Sequence, residues 1–154
     1  MKLVLFDVDG TLISTKGAGM RAFYRALQSV FDIRVESEVI RPDGKTDPLI
    51  LRELLSYFGL AEHWCKEARA KLFAEYLRCL EDEMSQAKSR GLIRILPGVL
   101  NLLQSLQSQE DLAVGLVTGN LEKRCMSRPR GWFPGELDKL EIHRYPGYVR
   151  QYLG

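Results

Sequence analysis

Two short apolar runs, at residues 2–6 and 112–117, each stop abruptly at polar, turn-prone residues, and most of the chain between them has helical periodicity. Nothing else in the sequence restricts the fold as much. Continuous runs of Leu and Val at this length read as strands buried on both faces, the pattern of a parallel sheet. Parallel neighbours cannot be joined by a tight turn and need a crossover, which helices supply. The helical block is too long for a simple crossover, so residues 16–89 read as an inserted α-helical cap, with residues 1–15 and 90–123 as the sheet core.

The helices announce themselves by spacing. After Gly17 and Gly19, Met20, Phe23, Tyr24, Leu27, Val30 and Phe31 fall at i, i+3, i+4, i+7 intervals and predict an amphipathic helix. A polar loop follows at residues 41–46. Asp47 is then suited to cap the next helix and Pro48 to occupy its first position. Leu51, Leu54, Leu55 and Phe58 form that helix's apolar face, and Gly59 suits its stop. Residues 62–88 predict a longer helix, in which Trp64, Ala68, Leu72, Tyr76, Leu80 and Met84 recur every four positions, widened by Phe73 and Leu77. Gly91 ends it. Pro97 opens a further helix carrying Val99, Leu100, Leu102, Leu103 and Leu106.

Composition narrows the function classes. With 45% apolar and 27% charged residues and a net charge of +2, the chain is globular, and neither nucleic acid nor an anionic membrane is an expected partner. The basic excess lies in residues 124–154, a stretch without a period of 2 or 3.6 that predicts an irregular tail. Cys65, Cys79 and Cys125 have no metal-ligand spacing and read as thiols of a reducing compartment. The apolar start is too short for a signal peptide, so the expected location is cytoplasmic. His63 and His143 are isolated, and Trp64 at helical spacing reads as packing.

Chemistry concentrates where the first run ends. Asp7 and Asp9 stand at i and i+2, and alternate residues of a strand share a face. At the carboxyl edge of a parallel sheet both can address the crevice where such sheets bind ligands. Paired carboxylates repel, and a divalent cation relieves that repulsion; all-oxygen ligands favour magnesium. Asp7 can then attack phosphorus while a protonated Asp9 donates to the leaving oxygen. Gly10 permits a sharp turn, and Thr11 offers a hydroxyl. The plain alternative is an Asp-Gly turn in which Asp9 only caps the strand.

Phe6-Asp7-Val8-Asp9-Gly10-Thr11-Leu12 closely resembles the first signature of the haloacid dehalogenase-like hydrolases. Val117-Thr118-Gly119-Asn120, after the second apolar run, looks like their second signature, and Gly44-Lys45-Thr46-Asp47 resembles the helical cap of the phosphoglycolate phosphatase and β-phosphoglucomutase branch. The resemblance covers residues 1–123. It implies a Rossmann-like α/β core with an inserted helical cap, and a magnesium-dependent phosphatase acting on a small phosphorylated metabolite. By position it makes Asp7 the nucleophile, converted to an aspartyl phosphate and ligating Mg2+. Asp9 becomes the acid/base, its backbone carbonyl also ligating the metal. Thr118, Gly119 and Asn120 bind phosphate, and Lys45 reaches the substrate. The second aspartate favours phosphate over dehalogenase chemistry.

The resemblance also implies a later lysine and further acidic metal ligands after another strand. Neither Lys123 nor Lys139 matches the first, and Glu136, Asp138 and Glu141 follow no apolar run. The core is therefore expected to be incomplete at its C-terminal end, with no strand beyond Lys123. A truncated or frameshifted, catalytically impaired relative is the first alternative function, and a phosphomutase sharing the first signature is the second.

Overall fold

The computed structural model describes residues 2–109, 111–116 and 143–144. In chain order its elements are β1 (Lys2–Phe6), β2 (Ile13–Ser14), α1 (Ala18–Phe31), α2 (Asp47–Tyr57), a 3₁₀ turn (Ala61–His63), α3 (Lys66–Ser89), β3 (Arg94–Ile95), α4 (Val99–Gln107), β4 (Leu112–Leu116) and β5 (His143–Arg144). They fall into two compact units, one of Met1–Lys16 with Gly91–Gly154 and one of Gly17–Arg90. The fold is α/β, with the strands of its main sheet parallel.

In the first unit β1 and β4 pair in parallel from Lys2↔Leu112 to Phe6↔Leu116, and β5 lies parallel on the other side of β4. The order among the described residues is β1-β4-β5, with β2 and β3 forming a separate antiparallel ribbon. Val8, Leu12, Ile13, Val99, Leu103 and Val114 make the core, with Phe6, Ile95, Leu96 and Leu112 against it. Thus α4 and the loop after β1 fill the space beside the sheet. Within α4, Val99 and Leu103 are buried, whereas Leu102, expected on the apolar face, is 47% exposed. Four residues on from Val99 comes Leu103, and Leu102 falls a third of a turn away.

β1 departs from expectation in one respect. It is a strand, as its apolar run predicted, but Leu3 is 51% and Leu5 37% exposed. The alternation of a strand sends Leu3 and Leu5 to one side and Val4 and Phe6, both half-buried, to the other. Among the described residues β1 also pairs along one edge only. A second departure is β5, since residues 124–154 were expected to hold no strand. Two residues, His and Arg, carry no apolar pattern to announce it.

The second unit is helical. Its α1 and α3 pack closely because α1 turns Ala18, Ala22 and Ala26 inward at four-residue spacing, together with Phe23 and Leu27. Met20, Tyr24, Val30 and Phe31, expected on that face, are half-buried at its margins. The Phe23 and Tyr76 rings stack at 3.9 Å with planes 5° apart. At the same interface the Glu83 carboxylate accepts from Arg21 Nε at 2.7 Å and Arg25 Nη1 at 3.2 Å, while Arg25 Nη2 donates to Asp82 at 3.1 Å. Glu83 is 8% exposed, and two guanidinium groups offset the cost of burying it. Elsewhere on α3, Arg78 holds the Glu75 carboxyl down at about 2 through paired hydrogen bonds, with help from Ser29 of α1.

Helix ends correct three further expectations. Thr46, not Asp47, caps α2: its Oγ1 accepts the Leu49 N–H at 3.4 Å, and Asp47 is already helical and buried. Ile50 rather than Phe58 completes the buried face of α2. The helix expected from residue 62 begins at Lys66, after the short 3₁₀ turn. Gly59 does end α2, with φ of 72° and the Leu60 N–H bonded to the Leu55 carbonyl at 2.8 Å. Trp64 meets Phe73 edge-on at 6.0 Å under the Arg69 guanidinium, which is packing, as its spacing suggested. His63 lies against Phe31, 3.5 Å from Glu62. None of the described helices is long and apolar enough to cross a membrane.

Candidate active site

Asp7 is the first residue past the carboxyl end of β1, and it is exposed. Val8 next to it is only 1% exposed and sits in the core; Asp9 is half-buried. One buried valine between two outward carboxylates follows directly from the alternation of extended chain. The core anchors Val8, and this keeps both acids at the strand's end rather than inside.

Past Asp9 the chain folds back on itself through the backbone. The Val8 carbonyl accepts the Leu12 N–H at 3.0 Å and the Ile13 N–H at 3.1 Å, and the Gly10 N–H donates to the Ile13 carbonyl at 2.9 Å. Asp9 and Ile13 form an isolated bridge. Its two bonds run through Val8, Gly10 and Ile13, so neither uses the Asp9 carbonyl. The Leu96 N–H then donates to the Leu12 carbonyl at 3.0 Å and ties the turn to β3. Leu12 and Ile13 are 2% and 1% exposed, so the loop is nailed down by its side chains as well.

Gly10 makes the turn possible. Its φ is +80°, where L-residues are disfavoured, yet a Cβ there would meet nothing within 4 Å. Gly10→Ala is therefore expected to cost roughly 1–2 kcal/mol through the backbone alone, read as a lower urea midpoint with an unchanged slope. An effect near zero would mean that the turn relaxes to another conformation.

The other expected site residues are not all brought together. Thr118, Gly119 and Asn120 lie outside the described residues, as do Lys123, Cys125, Glu136, Asp138, Lys139 and Glu141. The last described residue before them, Leu116, is the partner of Phe6 and so lies beside the strand that ends at Asp7. Lys45 belongs to the helical unit, where its Nζ pairs with Glu53 at 2.5 Å. Reading the sequence missed the β2–β3 ribbon altogether. The β-branched Ile13, Ile93 and Ile95 were its only signal, too short to register beside helices.

The oxygens this loop could offer a metal are hard donors, the Asp7 carboxylate and the Asp9 carbonyl. That chemistry suits a divalent cation of the magnesium type. Among the described residues no group of three or more His, Cys, Asp or Glu gathers to hold one.

Comparison with known proteins agrees with this layout. The family model of the haloacid dehalogenase-like hydrolases matches residues 4–128, and hydrolases of that family generally use a divalent metal. A solved structure of a hydrolase from Pseudomonas syringae superposes with a TM-score of 0.64 at 22% identity, covering 93% of this chain. At that identity the likeness is one of fold. This chain spans 60% of the length of that protein. No curated protein matches the chain by sequence. The parallel sheet, the paired aspartates closing its first strand and the extent of the match converge on one assignment: the chain belongs to the haloacid dehalogenase-like hydrolases.

Proposed function

We propose that the chain hydrolyses a small phosphomonoester, a cytoplasmic phosphorylated metabolite, through an aspartyl phosphate formed on Asp7 and with Mg2+ as cofactor. One observation carries this. Asp7 and Asp9 flank the buried Val8 at the carboxyl end of a parallel strand, where α/β sheets bind ligands, in a loop closed by backbone bonds.

The chemistry balances on these two residues. A carboxylate oxygen of Asp7 forms a bond to phosphorus as the bond to the ester oxygen breaks. The departing oxygen keeps the electron pair and takes the proton from Asp9. Asp9, now a carboxylate, accepts a proton from water as that water attacks the phosphorus of the aspartyl phosphate; phosphate leaves and Asp7 is regenerated. Two carboxylates with opposite protonation thus share one site, the arrangement by which acid and base roles separate. When bound, magnesium held by Asp7 and the Asp9 carbonyl neutralises charge on the phosphoryl oxygens. Thr118, Gly119 and Asn120 are assigned to phosphate binding. Lys45 is the residue of the helical unit assigned to substrate contact, in competition with Glu53.

Phosphate release from a panel of small phosphomonoesters, with magnesium and then with excess EDTA, tests this. Release that needs magnesium and returns when it is added back is expected. Release indifferent to EDTA would remove the metal from the proposal, and none from any ester would remove the activity.

A further inference from the structure

Asp7 and Asp9 are neighbours held by different frames. Asp7 follows Phe6, whose backbone is set by pairing with Leu116 in the main sheet. Asp9 lies between Val8 and Gly10, and both are bonded to Ile13, at 3.1 and 2.9 Å. Ile13 is in turn the first residue of β2, which pairs with β3 through Ile13↔Ile95 and Ser14↔Arg94. The Leu96 N–H extends that ribbon by its 3.0 Å bond to Leu12. A strand that arrives far later in sequence therefore supports the backbone on either side of Asp9 and has no part in the pairing that precedes Asp7.

From this we infer that the β2–β3 ribbon is the positioning device for Asp9, with Leu96 a positioning residue acting through its backbone N–H. The inference rests on the acid/base role proposed for Asp9. Proton transfer requires the donor within hydrogen-bond reach of the leaving oxygen, and a misplacement of about 1 Å costs up to roughly a hundredfold. The nucleophile keeps its own frame. Loosening the ribbon thus impairs protonation of the leaving group more than attack by Asp7. An alkoxide needs that proton as the phosphorus–oxygen bond breaks, whereas p-nitrophenolate departs without it.

Leu96→Pro removes the one N–H donor at this position, and Leu96→Ala keeps it while losing the side chain. In the full chain, kcat/KM is compared for glycerol phosphate and p-nitrophenyl phosphate, because that ratio reports steps up to phosphoryl transfer. L96P is expected to lose at least about tenfold on the alkyl ester, part of the roughly 10²–10⁴-fold that acid catalysis contributes, with a much smaller loss on the aryl ester. L96A is expected to keep the ratio of the two esters seen in the unmodified chain. Equal losses on both esters in L96P, or the differential loss appearing in L96A, would overturn the inference. If L96P does not fold, Ile95→Gly loosens β3 without a proline and carries the same comparison. Amide exchange separates this outcome from failure of the hydrolase proposal. Even in a chain with no activity, Gly10 and Ile13 should be protected, and should lose protection in L96P while Val4 keeps it. Unchanged protection at Gly10 and Ile13 in L96P would show that the ribbon does not hold Asp9.

Discussion

Asp7→Asn is expected to lower phosphomonoester hydrolysis by more than roughly 10³-fold, the scale seen when a catalytic nucleophile is removed. An amide oxygen is a weak nucleophile, and an amide is also a poorer ligand for a hard cation than a carboxylate. The substitution is nearly isosteric, and Asp7 is exposed, so the core around Val8 should be untouched. The melting temperature of D7N should accordingly match that of the unmodified chain. Loss of activity with an unchanged melt is the informative combination. Activity near the original level in a preparation free of other phosphatases would remove Asp7 from its role.

The largest effect on stability is expected in the helical unit, at Tyr76. Its side chain is fully buried and stacked on Phe23 at the α1–α3 contact. Tyr76→Ala should cost about 3–5 kcal/mol, the range for truncating a buried aromatic residue, against a net stability of only about 5–15 kcal/mol for a typical domain. The inward alanines of α1 are too small to fill the space. Tyr76→Phe keeps the ring and should retain most of the stability. Urea unfolding followed by circular dichroism checks both, since α1 and α3 supply much of the helical signal. A loss below about 1 kcal/mol for Y76A would mean that the two helices repack around the gap.

Features with long period or strong chemistry were legible in the sequence. The heavy four-residue spacing of Leu72, Tyr76, Leu80 and Met84 placed α3, and the apolar runs placed β1 and β4. Asp7 and Asp9 stood out because two carboxylates closing an apolar run are costly without a partner. Features made by backbone or by partners distant in sequence were not legible. The β2–β3 ribbon consists of two-residue strands separated by the whole helical unit, and no local pattern joins Ile13 to Ile95. Glu83 looks like any helix-surface acid until Arg21 and Arg25 on another helix are brought to it. The exposure of Leu3 and Leu5 was hidden too, because a continuous apolar run is the same string whether one face or both are covered. The cap of α2 went to Thr46 rather than Asp47, since both are good capping residues and composition cannot choose between adjacent ones.

The central claim is a covalent one and is best tested at the bond. The full chain, mixed with magnesium and a phosphomonoester and quenched in acid during turnover, would be digested and mapped by mass spectrometry. Asp9→Asn would serve as a second sample, with p-nitrophenyl phosphate as the ester because its leaving group needs no proton. Loss of the base should then slow breakdown of the intermediate more than its formation and raise its level. The expected result is one phosphoryl group on the peptide containing Asp7, greater in the Asp9→Asn sample and absent from the Asp7→Asn variant. Steady turnover with no phosphorylated peptide in either sample, or with the phosphoryl group on another residue, would contradict Asp7 as the nucleophile.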